Sequence, residues 1–587
     1  MGPFRRLLQY LARYRMRLVA VLTFIVASNI LTLIAPLLVK NIFDEALPQG
    51  DYSALVVLSS AIVGATLVGG AFGYLLRYLN EYVSQRSVYD IRNDLYRSLL
   101  NHSFSFYDRS QTGQLMARAT GDINQIRGFL SFGLRALIET VLTFAFAFSI
   151  LISIDWKLTL LSFATAPLVS LTVNRYARKI GPIWDAIRKQ YGDLTSVIQE
   201  NLMGVRVIKG FSKEDLEIGK FSKENREYME RMVDQARLSA FYDPLAGFIS
   251  GANVLLILWY GGTQVIAGNL SFGAWIAFNL YTWQLMRPIR FVGFIAAFYK
   301  RAIAAAKRIF EIMDTKSEVA EREGAIELED IDGHVRFESV YFGYDKENMV
   351  LKNINIDVQP GETVAVLGAT GSGKSSIINL IPRFYDVTSG RITIDGHDIR
   401  DATLSSLRRS IAIVHQEPFI FSTTLRENIA YGNEDATIQE IEKSAKAARL
   451  HEFISSLPEG YNTRVGERGV TLSGGQKQRL AIARALFTNP KIIIFDASTS
   501  NVDTETENEI QNALDTALKG HTTFIITQRL STVKNADRIV VLDKGEVVEE
   551  GTHNQLMAKK GQYYRLYQTQ SQDTGREEVV APLSRRG

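Results

Sequence analysis

At 587 residues the chain has room for several domains. Its 66 basic and 62 acidic side chains leave a net charge of +4, too small an excess to argue for a nucleic-acid partner. No cysteine occurs, which excludes disulfides, thiolate metal sites and cysteine-protease chemistry and leaves the redox compartment unreadable. Apolar residues crowd the first 300 positions, and the remainder has the composition of a soluble domain.

The chain opens with "RRLLQYLARYRMR", where arginines alternate with Leu and Tyr at helical spacing; this predicts an amphipathic helix lying on the inner membrane surface. Six apolar runs follow, roughly at 18–39, 55–78, 130–154, 158–175, 245–267 and 272–299, each near the ~20 residues a membrane helix needs. The first, "LVAVLTFIVASNILTLIAPLLV", is too long for the core of a signal peptide and reads as a retained span, with no targeting segment before it. Arg and Lys concentrate before span one, between spans two and three, and between spans four and five, whereas "NIFDEALPQGDYS" is acidic. The positive-inside rule then predicts a multi-pass protein of an inner or plasma membrane with both termini in the cytoplasm.

The inner connections, 79–129 and 176–244, are long and rich in helix formers, so the membrane helices are expected to run on into the cytosol. Each has a break, "FSFYDRSQTGQ" and "ENLMGVRVIKGFSKED", where Gly113 and Gly204 permit turns. These tips serve either as docking points for a cytosolic domain or as solvated hairpin ends. In the sixth run Asn279, Trp283, Arg287 and Arg290 share one helical face. That face lines a translocation cavity, packs against another subunit, or lets its arginines snorkel.

After an acidic connector the pattern changes to short strands. "ETVAVLG" runs into "GATGSGKSS" and the helical "IINLIPRFY", the strand–loop–helix context of a phosphate-binding loop. Within Gly368, Ala369, Thr370, Gly371, Ser372, Gly373, Lys374, Ser375 and Ser376, the glycines let backbone N–H groups wrap a polyphosphate. Lys374 reaches the β- and γ-phosphates and Ser375 can ligate Mg²⁺. "KIIIFD" ends in Asp496, as a buried strand delivering a carboxylate to a metal site would. In "LSGGQKQRLAIARAL" (Leu472, Ser473, Gly474, Gly475, Gln476 and onward) a glycine turn begins a second helix. That turn is either a second anion site, with ATP held between two copies of the domain, or a simple cap.

"LSGGQ", "GATGSGKS" and "IIIFD" together resemble the ATP-binding cassette (ABC) transporters. The resemblance implies that Tyr344 stacks on adenine, that Gln416 touches Mg²⁺ and faces the membrane domain, and that Asp503 belongs to the D-loop; Asp496 would hold Mg²⁺ through water. "TRVGERG" resembles the loop that exporters carry before the signature. Six spans ahead of one cassette are similar to the half-transporters of the B-type exporters, with the breaks at 105–114 and 200–215 as coupling helices. The expected fold is an α-helical six-span transmembrane domain (1–310), a linker (311–332), an α/β P-loop NTPase (333–570) and a disordered tail (571–587). The implied cofactors are ATP and Mg²⁺, and the implied partner is a second half-transporter. Residues that complete the partner's ATP site would be 472–476 and Asp503.

Two positions depart from the family pattern. The catalytic glutamate that follows the metal-associated Asp is Ala497, and the switch histidine is Gln528 in "FIITQRLST". A methyl group cannot orient water, and an amide cannot carry the cationic charge that helps the transition state. Three readings stand at this stage. The chain is the degenerate subunit of a heterodimeric exporter of drugs, lipids or peptides; or a homodimeric exporter whose Ala497 was introduced to trap ATP; or a nucleotide-gated subunit that transports nothing.

Overall fold

A computed structural model describes residues 2–345, 347–433, 435–466, 469, 471–497, 519–527 and 533–568; the side chains of 286–292, 497 and 527 are also outside the description. The chain separates into two compact units, Met1–Ser98 with Leu115–Asp314, and Leu99–Gln114 with Thr315–Gly587.

The first unit is helical. Pro3, whose φ suits a helix start and whose missing N–H is not needed there, opens α1 (Pro3–Ala12). Leu7, Tyr10 and Leu11 form its buried stripe, and Arg5 and Gln9 stay exposed. The Tyr10 hydroxyl donates to Asp94 at 2.9 Å, and Arg6 meets both oxygens of Asp314 at 2.6 and 2.7 Å. Then come α2 (Arg15–Asn41) and α3 (Tyr52–Asn101). Fifty residues of α3 extend about 75 Å at 1.5 Å per residue, far beyond a hydrocarbon core of about 30 Å.

Among the described residues five helical stretches are long and apolar enough to cross a membrane: Arg15–Gln49, Tyr52–Asn101, Thr112–Ile154, Trp156–Met203 and Glu214–Ile266. The sixth expected span lies in a helix, Phe272–Asp314, that includes the undescribed side chains. The fourth span is not one rod. Asp155 caps a short helix, Trp156–Phe163, by accepting from the Leu158 amide at 2.8 Å. The chain then breaks, and Ala166–Met203 restarts with Pro167 in its first turn, where proline is tolerated. At the core of the unit, Leu33, Leu151, Leu158, Ile257, Phe278 and Tyr281 pack together, and the Tyr281 hydroxyl donates to the Leu33 carbonyl.

The second unit is α/β. One sheet is antiparallel, in the order β2 (Leu351–Val358), β1 (Val335–Phe342), β4 (Ser389–Ile394), β5 (His397–Asp398). The second runs β10 (Glu546–Gly551), β9 (Arg538–Asp543), β3 (Thr363–Gly368), β8 (Thr522–Thr527), β7 (Ile492–Ala497), β6 (Ile411–Val414), and is parallel from β9 to β6. Residues 363–367 of β3 are all buried, as expected of a parallel strand covered on both faces.

The tip of the first inner connection belongs to this second unit. Phe104, in the short helix Phe104–Asp108, stacks on Phe384 with ring centroids 4.2 Å apart, and Asp108 accepts from the Tyr385 hydroxyl at 2.6 Å. Beside it the Arg383 side chain, only 2% exposed, binds Asp386 at 2.7 and 3.2 Å and the carbonyls of Ala320 and Arg400 at 3.0 and 3.4 Å. Truncation would strand those acceptors. Arg383→Ala is expected to cost about 3 kcal/mol. Arg383→Lys should recover only part, because a point charge cannot reproduce the planar fork. Thermal unfolding of the purified chain would read both.

Candidate nucleotide site and membrane cavity

β3 delivers its chain into the glycine loop at the carboxyl end of the parallel strands, the place where open α/β sheets bind ligands. Gly373 sits at φ +103°, and a Cβ there would lie 2.6 Å from the Leu351 side chain. At Gly368 a Cβ would lie 2.3 Å from the Leu542 carbonyl and 2.5 Å from Ser372 Oγ. No side chain fits either position. The Ser372 hydroxyl is buried inside the loop and has no hydrogen-bond partner among the described residues. Gly371, Ala369 and Thr370 are exposed on the loop's outer surface, and Ser375 is exposed on the helix Lys374–Leu380.

Lys374 Nζ donates to the carbonyls of Gly368 and Ala369 at 2.9 and 2.8 Å. Burial lowers its pKa, opposed by the charge of Asp496. Burial raises Asp496, opposed by His415 and Lys374. The fold has therefore brought the loop lysine and the acid at the end of β7 within electrostatic reach across 122 residues of sequence. β6 runs parallel to β7 with Val414 opposite Phe495, so His415 and Gln416 leave their strand beside Asp496 and Ala497. Gln416 is exposed there. No group of three or more His, Cys, Asp or Glu side chains that could hold a metal occurs among the described residues. If Mg²⁺ is held on this loop, Ser375, Gln416 and Asp496 would be the protein's share and the nucleotide's phosphates the rest, which suits an ion that keeps few protein ligands.

Tyr344 is 43% exposed. Its hydroxyl lies 3.1 Å from Ser376 Oγ, which places the ring beside the helix that follows the loop. The ring is fixed by edge-on contacts with Phe342 at 4.9 Å and Tyr385 at 5.2 Å.

Ser473 caps the signature helix Gly474–Phe487. Its Oγ accepts from the Gln476 amide at 3.3 Å, and the Gln476 side chain accepts from the Ser473 amide at 2.9 Å, a reciprocal capping box. Gly475 is buried, Gly474 is exposed, and Leu472 packs on a core built around Ile420, Ile441, Leu480 and Ile482. β3 and the loop helix are rooted elsewhere, in the core of Val364, Val366, Ile377 and Leu380. Asp503 and Gln528 lie outside the described residues, as does the Ala497 side chain; the Ala497 backbone ends β7 opposite Thr527.

Within the first unit a cavity of about 560 Å³ is lined by Asn29, Arg77, Arg135, Glu139, Thr143 and Gln284, among others. Arg135 pairs with Glu139 at 3.1 Å, and Thr143 donates to Asn29 at 2.5 Å. The Gln284 amide oxygen is buried without a partner among the described residues. Asn279 and Trp283 do not line this cavity. Asn279 is half-buried and bonds back to the Trp275 carbonyl at 3.4 Å, and Trp283 is 72% exposed; the side chains of Arg287 and Arg290 lie outside the described residues. Arg77, Arg135 and Glu139 went unnoticed in the sequence, although charges at the ends of apolar runs were a usable signal.

Membrane-crossing helices joined to a glycine-loop α/β domain with a capped LSGGQ helix define a membrane-embedded, ATP-binding machine. Residues 18–289 match the family model of the ABC transporter transmembrane region, and residues 351–500 match that of the ABC transporter ATP-binding domain. The chain is 39% identical over 580 residues to an ATP-dependent lipid A-core flippase of Syntrophus aciditrophicus (strain SB), covering 99% of this chain and 96% of that one. It is 37% identical to a putative multidrug export ATP-binding/permease protein of Bacillus subtilis (strain 168), covering 97% and 100%. Among solved structures it is similar to a bacterial Atm1-family ABC exporter with ATP bound, at a TM-score of 0.77 and 29% identity over 98% and 100% of the two chains. The protein belongs to the ABC transporters, in their exporter class.

Removing the Tyr344 ring should weaken ATP binding while leaving base-free phosphates unaffected. Tyr344→Ala is expected to raise the Kd for ATP about tenfold, on a stacking contribution of roughly 1–3 kcal/mol, with tripolyphosphate affinity unchanged in a competition titration.

Proposed function

We propose that this chain is the degenerate-site subunit of a heterodimeric exporter that moves an amphipathic substrate (a drug, lipid or peptide) across a cell's inner or plasma membrane by alternating access. Its nucleotide domain and both termini face the cytoplasm. The observation that carries the reading is the residue after Asp496. The strand supplies the metal-associated carboxylate beside Lys374, and then Ala497 stands where the family has a water-orienting glutamate. Gln528 in place of the switch histidine points the same way.

Phosphoryl transfer depends on positioning and electrostatic help, so the site on this chain's own loop binds MgATP and turns it over slowly. Loss of a water-positioning group costs about 100- to 10,000-fold. The signature is unimpaired: Ser473 holds a complete cap and Gly475 is in place. Its separate core from that of the phosphate loop supports a role in the partner's site, together with Asp503. The second inner tip supports pairing as well. Leu202, Met203, Val205, Val207 and Phe211 are 45–78% exposed around the helix Val205–Gly210, a run of apolar surface that a partner's cassette would cover. The names of the relatives, a lipid flippase and a multidrug exporter, support an amphipathic cargo. The cavity in the first unit, with Arg77, Arg135 and Glu139 among its lining residues, supports a place for the head group of such a cargo.

Purified alone, the chain should hydrolyse ATP at background rates, and co-expression with its partner, checked by native mass measurement, should restore turnover. Within the heterodimer, Ala497→Glu with Gln528→His is expected to raise turnover at this site on the order of 100-fold. A homodimer that turns ATP over briskly without a second chain, or a repaired site that binds ATP with no gain, would sink the proposal.

A further inference from the structure

One contact in the second unit joins the nucleotide site to the inner-loop tip and is used by nothing described above. Tyr385 touches both. Its ring stands at 90° to Tyr344 with centroids 5.2 Å apart, and its hydroxyl donates to Asp108 at 2.6 Å. Around that axis, Phe342 meets Tyr344 at 4.9 Å and Tyr385 at 5.6 Å, and Phe104 meets Tyr385 at 6.3 Å and Phe384 at 4.2 Å. The Arg408 guanidinium lies over Phe384 at 5.5 Å. The other end of Tyr344 is tied to the loop helix through Ser376 at 3.1 Å.

We propose that Tyr385 is a positioning residue through which a nucleobase stacked on Tyr344 orders the first inner-loop tip, so that this tip reads the base of the nucleotide as distinct from its phosphates. The proposal rests on the assignment of Tyr344 as the base-stacking residue.

A purine stacked on Tyr344 would fix the tilt of that ring, which makes edge-to-face pairs with Phe342 and Tyr385. Edge-to-face pairs are orientation-dependent, so the tilt of one ring constrains the other. The Tyr385 ring cannot answer freely, because its hydroxyl makes a charge-assisted hydrogen bond to a carboxylate on the tip, and such bonds are short and strong. Burial pushes the Tyr385 pKa up, and the bond to Asp108 adds to it, so the hydroxyl keeps the proton it donates. Phosphates would be held by the loop backbone, whose helix meets Tyr344 at the hydroxyl through Ser376, whereas a base would load the ring face itself.

The test is hydrogen–deuterium exchange on the full chain in lipid nanodiscs with saturating MgATP, with tripolyphosphate as the base-free probe. In the unaltered protein, MgATP should slow exchange both in 368–376 and in 99–114, whereas tripolyphosphate should slow it only in 368–376. Tyr385→Phe, which keeps the ring and loses the hydroxyl, should retain ATP affinity within about twofold and protection of 368–376, yet lose the ATP-dependent protection of 99–114. Asp108→Ala should behave the same way, and Asp108→Asn, which still offers a carbonyl acceptor, should recover part of the protection. The inference is overturned if tripolyphosphate protects the tip as well as MgATP does. Persistence of tip protection in both Tyr385→Phe and Asp108→Ala would also overturn it, as would equal loss of protection at 368–376. Failure of MgATP to protect 368–376 in the unaltered chain would instead sink the nucleotide assignment itself, and this inference with it.

Discussion

The carboxyl edge of the parallel sheet is the constraint on which the nucleotide chemistry depends. Parallel strands must all end on one side, so the chain leaving β3, β6 and β7 is delivered to one place without any further design. There the fully buried β3 supplies the loop, β7 supplies Asp496, and β6 supplies Gln416. Bringing Lys374 near Asp496 takes both partly out of water, and each shifts the other's titration against the effect of burial. A half-buried lysine and carboxylate that only partly compensate one another form a site that gains by meeting a polyphosphate and a divalent ion.

The bilayer sets the second constraint, on the first unit. Backbone amides in hydrocarbon must be satisfied within the segment, so the spans are helices, and nothing at the membrane surface requires them to stop. Tyr52–Asn101 therefore runs on as an unbroken rod far past the length a hydrocarbon core needs, and the other long helical stretches, one of them broken at 164–165, also exceed it. Such rods can carry a displacement between water and membrane, whereas a flexible connection would absorb it. At the second tip, Leu202, Met203 and Phe211 expose apolar surface.

What was legible in the sequence follows from the range of the interactions involved. The glycine loop was legible because its requirements are local: Gly368 and Gly373 occupy positions that no Cβ can enter, and the lysine follows at once. The capped signature helix was legible for the same reason, since Ser473 and Gln476 bond one another across one turn. Span existence was legible from apolar runs, but the restart before Pro167 was not, because a proline in a first helical turn and one inside a helix look alike until the break is seen. The cavity face was harder still. Asn279 and Trp283 share a stripe on their helix, yet the wall that forms uses Gln284 with Arg77 and Arg135 from other helices, and only tertiary packing decides which stripe turns inward.

The Tyr385–Asp108 bond lay beyond any reading of periodicity, since 277 residues separate its partners. Its place in the molecule nevertheless follows from the first constraint. Tyr344 stands just after β1 on the neighbouring antiparallel sheet and is tied to the loop helix through Ser376, where a platform for the base would be expected if the sheet edge takes the phosphates. Residues after the loop helix then close behind that platform, and Tyr385 is the first with both a ring to pack against Tyr344 and a hydroxyl to reach outward. Tyr344 takes its contacts from Phe342, Tyr385 and Ser376, whereas Asp496 and Ala497 end β7 in the other sheet. On the proposed function, binding and catalysis would be separable, because the base would rest beside one sheet and the attacking water at the edge of another.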